Sequence, residues 1–188
     1  AWSALAQGGI QAGQTVLVQG TGGVSLFAAQ FAKASGARVI ALTSSAAKAV
    51  VLREHGAAEV IDYRAVPEWA GEAMRLTGGR GADIVVETVG STLPQTLACV
   101  AFGGFVAVVG FLGGYEVPLS IRQLIGPMVR MQGIVVGSRA TLESLIRLME
   151  LHRLRPRVDR RFPLAQAADA FRHMERRAHM GKIVVTFD

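Results

Sequence analysis

The chain has 188 residues, 51% of them hydrophobic, and a net charge of +6. This length fits one domain or slightly more, and the composition supplies enough apolar surface for a core. Its longest apolar runs have the length of strands and are too short to span a membrane, so we expect no membrane association. The single cysteine, Cys99, excludes an internal disulfide. With no secretory leader expected, these features predict a cytoplasmic protein.

The positive charge is concentrated near the end of the sequence. Residues 139–188 carry 11 basic and 6 acidic residues, a net charge of +5. These basic residues are interleaved with acids and apolar positions, and no helix-turn-helix or aromatic RNA-binding signature accompanies them. We therefore expect a solvated face rather than a nucleic-acid interface.

Segments with the pattern of strands alternate with segments typical of helices. We predict strands at residues 15–19, 38–43, 59–62, 82–87, 105–109 and 131–136. We predict helices at residues 24–35, 46–55, 67–77 and 93–100. The continuous apolar runs indicate strands that are covered on both faces, as in a parallel sheet. The pattern predicts an α/β fold with a doubly wound, six-stranded parallel sheet, the Rossmann arrangement.

The last part of the chain differs from these repeated units. We predict a helix at 141–151, a basic segment at 153–161 that Pro156 interrupts, a helix at 164–176 and a strand at 182–187. We interpret residues 1–140 as a nucleotide-binding domain, and residues 141–188 as a C-terminal tail of helices and a strand partly detached from the sheet.

A glycine-rich turn, GTGGVS, joins the first predicted strand to the first long helix. Gly20 allows a sharp reversal, and Gly22 lets a pyrophosphate approach the backbone at the start of the helix. Ser25 stands where the G-x-G-x-x-G motif has its third glycine. The motif predicts a dinucleotide site at this turn.

The end of the second strand favours NADP(H) over NAD(H). NAD binders carry an acidic residue about 20 residues after the glycine loop, and here Thr43 occupies that position. Ser44 and Lys48 follow as donors for a 2′-phosphate, and Tyr63 comes after the neighbouring third strand. The same segment also fits a plain helix start capped by serine.

Several strings occur in an order that resembles the medium-chain dehydrogenase/reductase superfamily, in particular its zinc-type alcohol dehydrogenase-like and quinone oxidoreductase-like branch. They are AGQTVLVQGTGGVSLFAAQFAKASGARVIALTSS, LREHGAAEVIDYR, LTGGRGADIVVETVG, GGFVAVVGFLGG, GIVVGSR and HMGKIVV. The resemblance extends over essentially the whole chain. It implies an oxidoreductase that transfers hydride between NAD(P)(H) and an alcohol, carbonyl or quinone.

The resemblance also implies roles for individual residues. Gly20, Thr21, Gly22, Gly23 and Val24 are expected to hold the pyrophosphate, and Thr43, Ser44, Lys48 and Tyr63 to surround the adenosine 2′ position. Val89 and Gly90 are expected near the adenosine ribose, and Arg139 and Lys182 near the cofactor phosphates. Gly110, Phe111 and Leu112 are expected on the nicotinamide side. Val136, Gly137 and Ser138 are expected to meet the carboxamide.

The family further carries an N-terminal domain, similar to the GroES fold, that holds the small-molecule substrate and any catalytic zinc. No zinc-ligand string of the family matches this chain, so we expect zinc only in that other domain. The segment AWSAL resembles the helix that enters the cofactor domain, and the tail is expected to pack toward the catalytic domain. We expect no dehydrogenase activity from this chain alone. The resemblance and the predicted edge position of the sixth strand together suggest a homodimer.

Other functions were weighed against this one. A short-chain dehydrogenase needs a Tyr-x-x-x-Lys pair, but residues four places after Tyr63 and Tyr115 are Pro67 and Leu119. A methyltransferase of similar topology favours an acid where Thr43 stands. A non-catalytic module that binds NADP(H) as a sensor or partner subunit stays open as the alternative.

Overall fold

The computed structural model describes residues 1–187, and its main sheet is the predicted parallel one. Its strands are β1 (Thr15–Gln19), β2 (Arg38–Thr43), β3 (Glu59–Asp62), β4 (Ala82–Glu87), β5 (Val100–Val108) and β6 (Arg130–Gly133). The strand order is β3-β2-β1-β4-β5-β6, with every pair parallel. Strands β2 and β3 extend the sheet on one side of β1, and β4, β5 and β6 extend it on the other. The carboxyl ends of β1 and β4 therefore border the crevice in which doubly wound folds bind ligands.

Helices cover both faces of this sheet. They are α1 (Trp2–Gln7), α2 (Gly23–Ala34), α3 (Ala46–Glu54), α4 (Trp69–Leu76), α5 (Leu93–Cys99) and α6 (Ile121–Ile125). On one face α1, α2 and α3 pack against side chains such as Val16 and Val18. On the other, α4 and α5 pack against side chains such as Leu17. No helix within residues 1–187 combines the length and the apolar character needed to cross a bilayer.

Two strand boundaries differ from the prediction by three residues or more. β5 begins at Val100 rather than at residue 105, because a bulge shifts its register against β4 before Phe105. The glycines in the first half of β5, among them Gly103 with φ +70°, are typical of a turn, so the sequence predicted no strand there. β6 ends at Gly133 rather than at residue 136. Val135 and Val136 leave the sheet and are 92% and 78% exposed.

The tail adds a second, two-stranded sheet, but it is not detached from the main one, because its first helix packs Leu145, Leu148 and Met149 against the main core. It comprises α7 (Arg139–Leu151), β7 (Val158–Pro163), a short 3-10 helix (Leu164–Gln166), α8 (Ala167–Glu175) and β8 (Lys182–Thr186). β7 and β8 pair in parallel as a separate two-stranded sheet. β7 was not predicted, because its sequence, VDRRFP, lacks a continuous apolar run. The helix predicted at 164–176 is divided between the 3-10 helix and α8.

A buried carboxylate ties together β1, β4 and the start of α5. Glu87 is fully buried, and its Oε2 accepts hydrogen bonds from Gln19 Nε2 at 2.8 Å and the Thr96 hydroxyl at 2.6 Å. Its Oε1 accepts from the Val89 and Gly90 amides, both at 2.9 Å. The Thr92 hydroxyl also donates to Oε1, at 2.8 Å. Five donors thus satisfy the buried group, as a charge removed from water requires.

Replacing Glu87 by Gln should lower the free energy of unfolding by about 1–3 kcal/mol, because an amide NH2 then faces groups that donate. Glu87→Leu should cost more, since it removes the acceptor of all five donors and leaves the Val89 and Gly90 amides without one. Urea denaturation followed by circular dichroism measures both effects. Glu150→Gln, on the exposed side of α7, is the matched control and should change stability by less than about 0.5 kcal/mol. Equal stabilities for Glu87→Gln and Glu150→Gln would contradict this account.

Candidate dinucleotide site

The turn between β1 and α2 leaves open space at the start of a helix. Gly20 has φ +78°, in the left-handed region that favours glycine. Gly22 is the N-cap of α2, and no side chain caps that helix. A Cβ placed on Gly20 or Gly22 would meet no atom within 4 Å. The free N–H groups and the positive dipole of a 12-residue helix therefore face an accessible surface that suits an anion.

Ser25 takes over the packing role of the third motif glycine. Its side chain is buried, and its hydroxyl donates a short hydrogen bond to the Gln19 carbonyl. This bond fastens the first turn of α2 to the end of β1. Thr21, between the first two glycines, is buried as well, and Val24 packs partly against the core. The Ser25 departure thus leaves the helix close to the strand.

The tail reaches the same turn. The Gly181 amide donates to the Thr21 carbonyl at 3.0 Å, and Gly181 forms a parallel bridge with Gly22. The Lys182 side chain lies over Gly23, where a Cβ would come within 3.0 Å of its Cδ and Cε and 3.2 Å of its Nζ. This places the Lys182 ammonium beside the start of α2.

The loops after β4 and β5 are joined to each other. The Gly113 amide donates to the Val89 carbonyl at 2.7 Å, and a Cβ on Gly90 would lie 3.3 Å from the Phe111 Cα. A Cβ on Gly110 would lie 2.6 Å from the Thr88 carbonyl oxygen, so these two loops are in close contact. Phe111 and Leu112 are exposed, and Phe111 stacks on Tyr115 with ring centroids 4.8 Å apart. Both loops lie at the carboxyl edge of the sheet, where their backbones form one surface.

At the end of β2, Thr43 is only 1% exposed. Its Oγ1 is buried and finds no hydrogen-bond partner among the described residues. Ser44 and Lys48 are partly exposed, and Tyr63 is exposed. The Thr43 hydroxyl is thus enclosed at the end of the strand, while Ser44, Lys48 and Tyr63 keep accessible surface beside it.

The start of α3 and a carboxylate of β3 lie next to the end of β2. The Lys48 amide donates to the Ser45 hydroxyl at 3.4 Å, so the serine-capped helix start that the sequence allowed is present. Asp62 is opposite Thr43 in the register of β2 and β3, and its carboxylate accepts from the Arg64 amide at 2.9 Å. This end of the sheet thus includes one carboxylate, Asp62, that was not predicted to lie there.

The segment after β6 is engaged with the start of α7. The Ser138 hydroxyl caps that helix by accepting from the Thr141 amide at 3.2 Å. Arg139 is largely exposed and pairs with Glu143 at 2.8 Å. Gly137 packs against Ser3, and Val136 is exposed. The described contacts bring Lys182, but not Arg139, against the glycine turn.

The described residues contain no group of three or more His, Cys, Asp or Glu side chains that could hold a metal ion. Cys99 is buried beside the Glu87 network, and burial followed by the nearby Glu87 charge raises the pKa of its thiol to about 12. This environment keeps the thiol protonated at neutral pH, so it is not a nucleophile.

Two sets of polar residues were not predicted from the sequence. One is the network around Glu87, for which the only signal was a carboxylate directly after the apolar run at residues 84–86. The other is the pair of Asp159 and His173 in the tail, which are 14 residues apart and lie on different elements. Neither set has a spacing that sequence motifs record.

Comparisons with known proteins agree with this geometry. The profile of the family described as "Zinc-binding dehydrogenase" matches residues 23–150. A zinc-type alcohol dehydrogenase-like protein of Schizosaccharomyces pombe is 36% identical over 184 residues, which are 95% of this chain and 53% of that protein. A quinone oxidoreductase of Pseudomonas aeruginosa is 32% identical over 192 residues, covering 94% of this chain and 57% of that protein. The chain spans about half the length of these curated relatives.

Solved structures share the fold along the whole chain. An NAD-dependent alcohol dehydrogenase superposes with a TM-score of 0.91 at 35% identity, over 98% of this chain and 54% of that one. A mycobacterial protein complexed with NADPH superposes with a TM-score of 0.84 at 29% identity, over 98% of this chain and 61% of that one. The family match, the relatives and the parallel sheet agree: the chain belongs to the zinc-binding dehydrogenases of the medium-chain dehydrogenase/reductase superfamily.

Proposed function

We propose that this chain binds a nicotinamide dinucleotide for the hydride transfer of an oxidoreductase that acts on an alcohol, a carbonyl compound or a quinone. The observation that carries the proposal is the uncapped start of α2, which lies open between glycines at the crevice between β1 and β4. Such a helix start binds a pyrophosphate through its N–H groups and dipole. The oxidoreductases among the relatives support an enzyme rather than a non-catalytic sensor.

The site residues then divide along the cofactor. Gly20, Thr21, Gly22, Gly23, Val24 and Lys182 hold the pyrophosphate. Val89 and Gly90 face the adenosine ribose, Gly110, Phe111 and Leu112 the nicotinamide, and Val136, Gly137 and Ser138 the carboxamide. The cofactor supplies the hydride acceptor or donor. The groups of this chain bind and orient it.

We propose that the small-molecule substrate, and a zinc ion where one is used, are held by a further domain against which residues 141–188 pack. Exposed apolar side chains of the tail support this arrangement. Leu142 and Ile146 of α7 and Phe171 and Met174 of α8 are all exposed. A surface of this kind on one side of a domain is typical of an interface.

The first prediction concerns the pyrophosphate position. Gly22→Asp should abolish measurable dinucleotide binding, because its carboxylate occupies the space meant for the phosphates and repels them. Aspartate is also a good N-cap, so the variant should fold. Calorimetric titration with NADPH and NADH measures the effect.

Gly71→Asp is the matched control, since Gly71 of α4 is exposed and a Cβ there meets no atom within 4 Å. It adds the same charge and should leave binding unchanged. The wild-type chain should bind cofactor yet fail to oxidise alcohols or reduce quinones, because hydride transfer also requires a substrate clamp and we propose that a further domain supplies it. Unchanged cofactor affinity in Gly22→Asp would contradict the proposal.

We further propose that NADP(H) binds more tightly than NAD(H). Ser44 and Lys48 can donate to a 2′-phosphate, and a hydrogen bond to a charged group contributes roughly 1.5–3 kcal/mol. Lys48→Ala should therefore weaken NADPH about 10- to 100-fold and leave NADH nearly unchanged. Because Thr43 is buried, Ser44→Asp rather than a change at Thr43 should reverse the preference. Equal losses for the two cofactors in Lys48→Ala would show that this lysine does not bind the phosphate.

We also propose that two copies pair through the outer edge of β6. All four residues of β6 are exposed, and the exposed Val135 follows them. An unpaired strand edge beside apolar side chains favours association with another chain. Val135→Lys should weaken the dimer about 100-fold, because two copies of a buried valine are lost at about 1.5 kcal/mol each.

Sedimentation velocity over a concentration series measures this change in association. Val50→Lys, on the exposed side of α3, provides a control that should leave association unchanged. A wild-type chain that stays monomeric at high concentration would contradict the pairing.

A further inference from the structure

A short segment of the tail, residues 179–182, lies across the glycine turn; we call it the tail strap. Its backbone is attached at two points. The Gly181 amide donates to the Thr21 carbonyl at 3.0 Å, and the Lys182 amide donates to the Arg157 carbonyl at 2.9 Å. Gly181 has φ +97°, and a Cβ there would collide with the Arg157 carbonyl. Only glycine therefore allows the strap to lie this close.

The strap carries a cation to the positive end of a helix. The Lys182 methylene groups pack over Gly23, and the ammonium lies beside the first N–H groups of α2. No carboxylate of residues 1–187 forms an ion pair with Lys182. A positive charge next to a helix N-terminus is unfavourable unless an anion lies between them. The arrangement thus suits a pyrophosphate bound by both.

A third attachment of the strap is made by the side chain of Asp159 in β7. Its Oδ1 accepts from the Met180 amide at 3.0 Å, and its Oδ2 is hydrogen bonded to Nε2 of His173 at 2.8 Å. Both side chains are largely buried, at 16% and 15% exposure. Burial pushes the pKa of Asp159 upward, but the hydrogen bonds from His173 and Met180 and the nearby imidazoles of His173 and His179 outweigh it and hold the pKa below its usual value. The group that grips the strap is therefore an anion at neutral pH.

We propose that Asp159 is a positioning residue for the cofactor: through Met180 it holds the tail strap so that Lys182 faces the pyrophosphate. The inference rests on the proposed function and deepens it, because it assigns part of the pyrophosphate site to a side chain that never touches the ligand. The line of contacts runs from His173 of α8 through Asp159 and the Met180 amide to Gly181, the Thr21 carbonyl and the start of α2.

The test compares two ligands that share the adenosine end. NADPH carries the pyrophosphate, whereas adenosine 2′-monophosphate does not. Lys182→Ala should weaken NADPH about 10- to 100-fold, the value of a hydrogen bond to a charged group. Asp159→Ala should weaken NADPH about 10-fold and leave adenosine 2′-monophosphate unchanged. Asp159→Asn should keep near wild-type affinity, because its side-chain oxygen still accepts from Met180.

A double-mutant cycle separates positioning from general stability. If Asp159 acts through Lys182, then Asp159→Ala in a Lys182→Ala background should cause little further loss. Asp169→Ala is the matched control, since Asp169 pairs with Arg172 at 2.7 Å on the exposed side of α8. It should leave both affinities unchanged.

Hydrogen exchange provides a second measurement in the wild-type chain, independent of any variant's folding. The Gly181 and Lys182 amides should exchange more slowly when NADPH binds. Unchanged exchange there, equal losses for both ligands in Asp159→Ala, or the same fold loss in the Lys182→Ala background would overturn the positioning role. Failure of the wild-type chain to bind NADPH or NADH would overturn the proposed function itself, whereas binding without these effects overturns only the role of Asp159.

Discussion

The buried carboxylate of Glu87 holds together the carboxyl edge of the sheet, where the candidate site lies. Parallel strands end in loops that are free to diverge, and here one side chain accepts hydrogen bonds from the end of β1, the loop after β4 and the start of α5. Gln19, which donates to it, also accepts from the Thr88 amide at 3.0 Å. Ser25 adds the start of α2 to the same cluster through the Gln19 carbonyl. Because a buried charge is costly unless every bond is made, this network allows few arrangements of the edge.

The consequences of that constraint extend to the loops that face the ligand. The loop after β4 is held by Glu87, and the loop after β5 is held in turn by the Gly113 bond to Val89. The tail holds the glycine turn through the hydrogen bond from the Gly181 amide to the Thr21 carbonyl. A ligand that binds here meets backbone groups that are already in place, so little conformational entropy remains to be lost on binding.

The main sheet could be predicted from the sequence because most of its strands are marked by a local run of apolar residues. Runs such as Val39 to Leu42 are apolar without interruption, and a strand buried on both faces needs that pattern. β7 gave no such signal, since it lies in a small exposed sheet and tolerates Asp159, Arg160 and Arg161. The strand bulge before Phe105 has the same sequence pattern as a turn, so the start of β5 was missed.

The glycine turn could be predicted from the sequence, because Gly20 and Gly22 stand at fixed positions between β1 and α2. The burial of Thr43 could not, because it depends on side-chain direction at the end of β2, which spacing does not specify. Gln19 lies 68 residues from Glu87, and His173 and Met180 lie 14 and 21 residues from Asp159, so these roles depend on contacts that only the fold makes. Hydrogen bonds of this kind become visible only when the strand order and the position of the tail are known.

We propose that a dinucleotide lies along this edge of the sheet with its pyrophosphate between the start of α2 and the tail. Amide chemical-shift mapping of the chain during titration with NADPH tests this arrangement. Saturable shifts are expected at Gly22, Gly23, Gly90 and Lys182 with a common dissociation constant. Saturable shifts confined to the basic residues of segment 153–161, with the glycine turn unchanged, would contradict it.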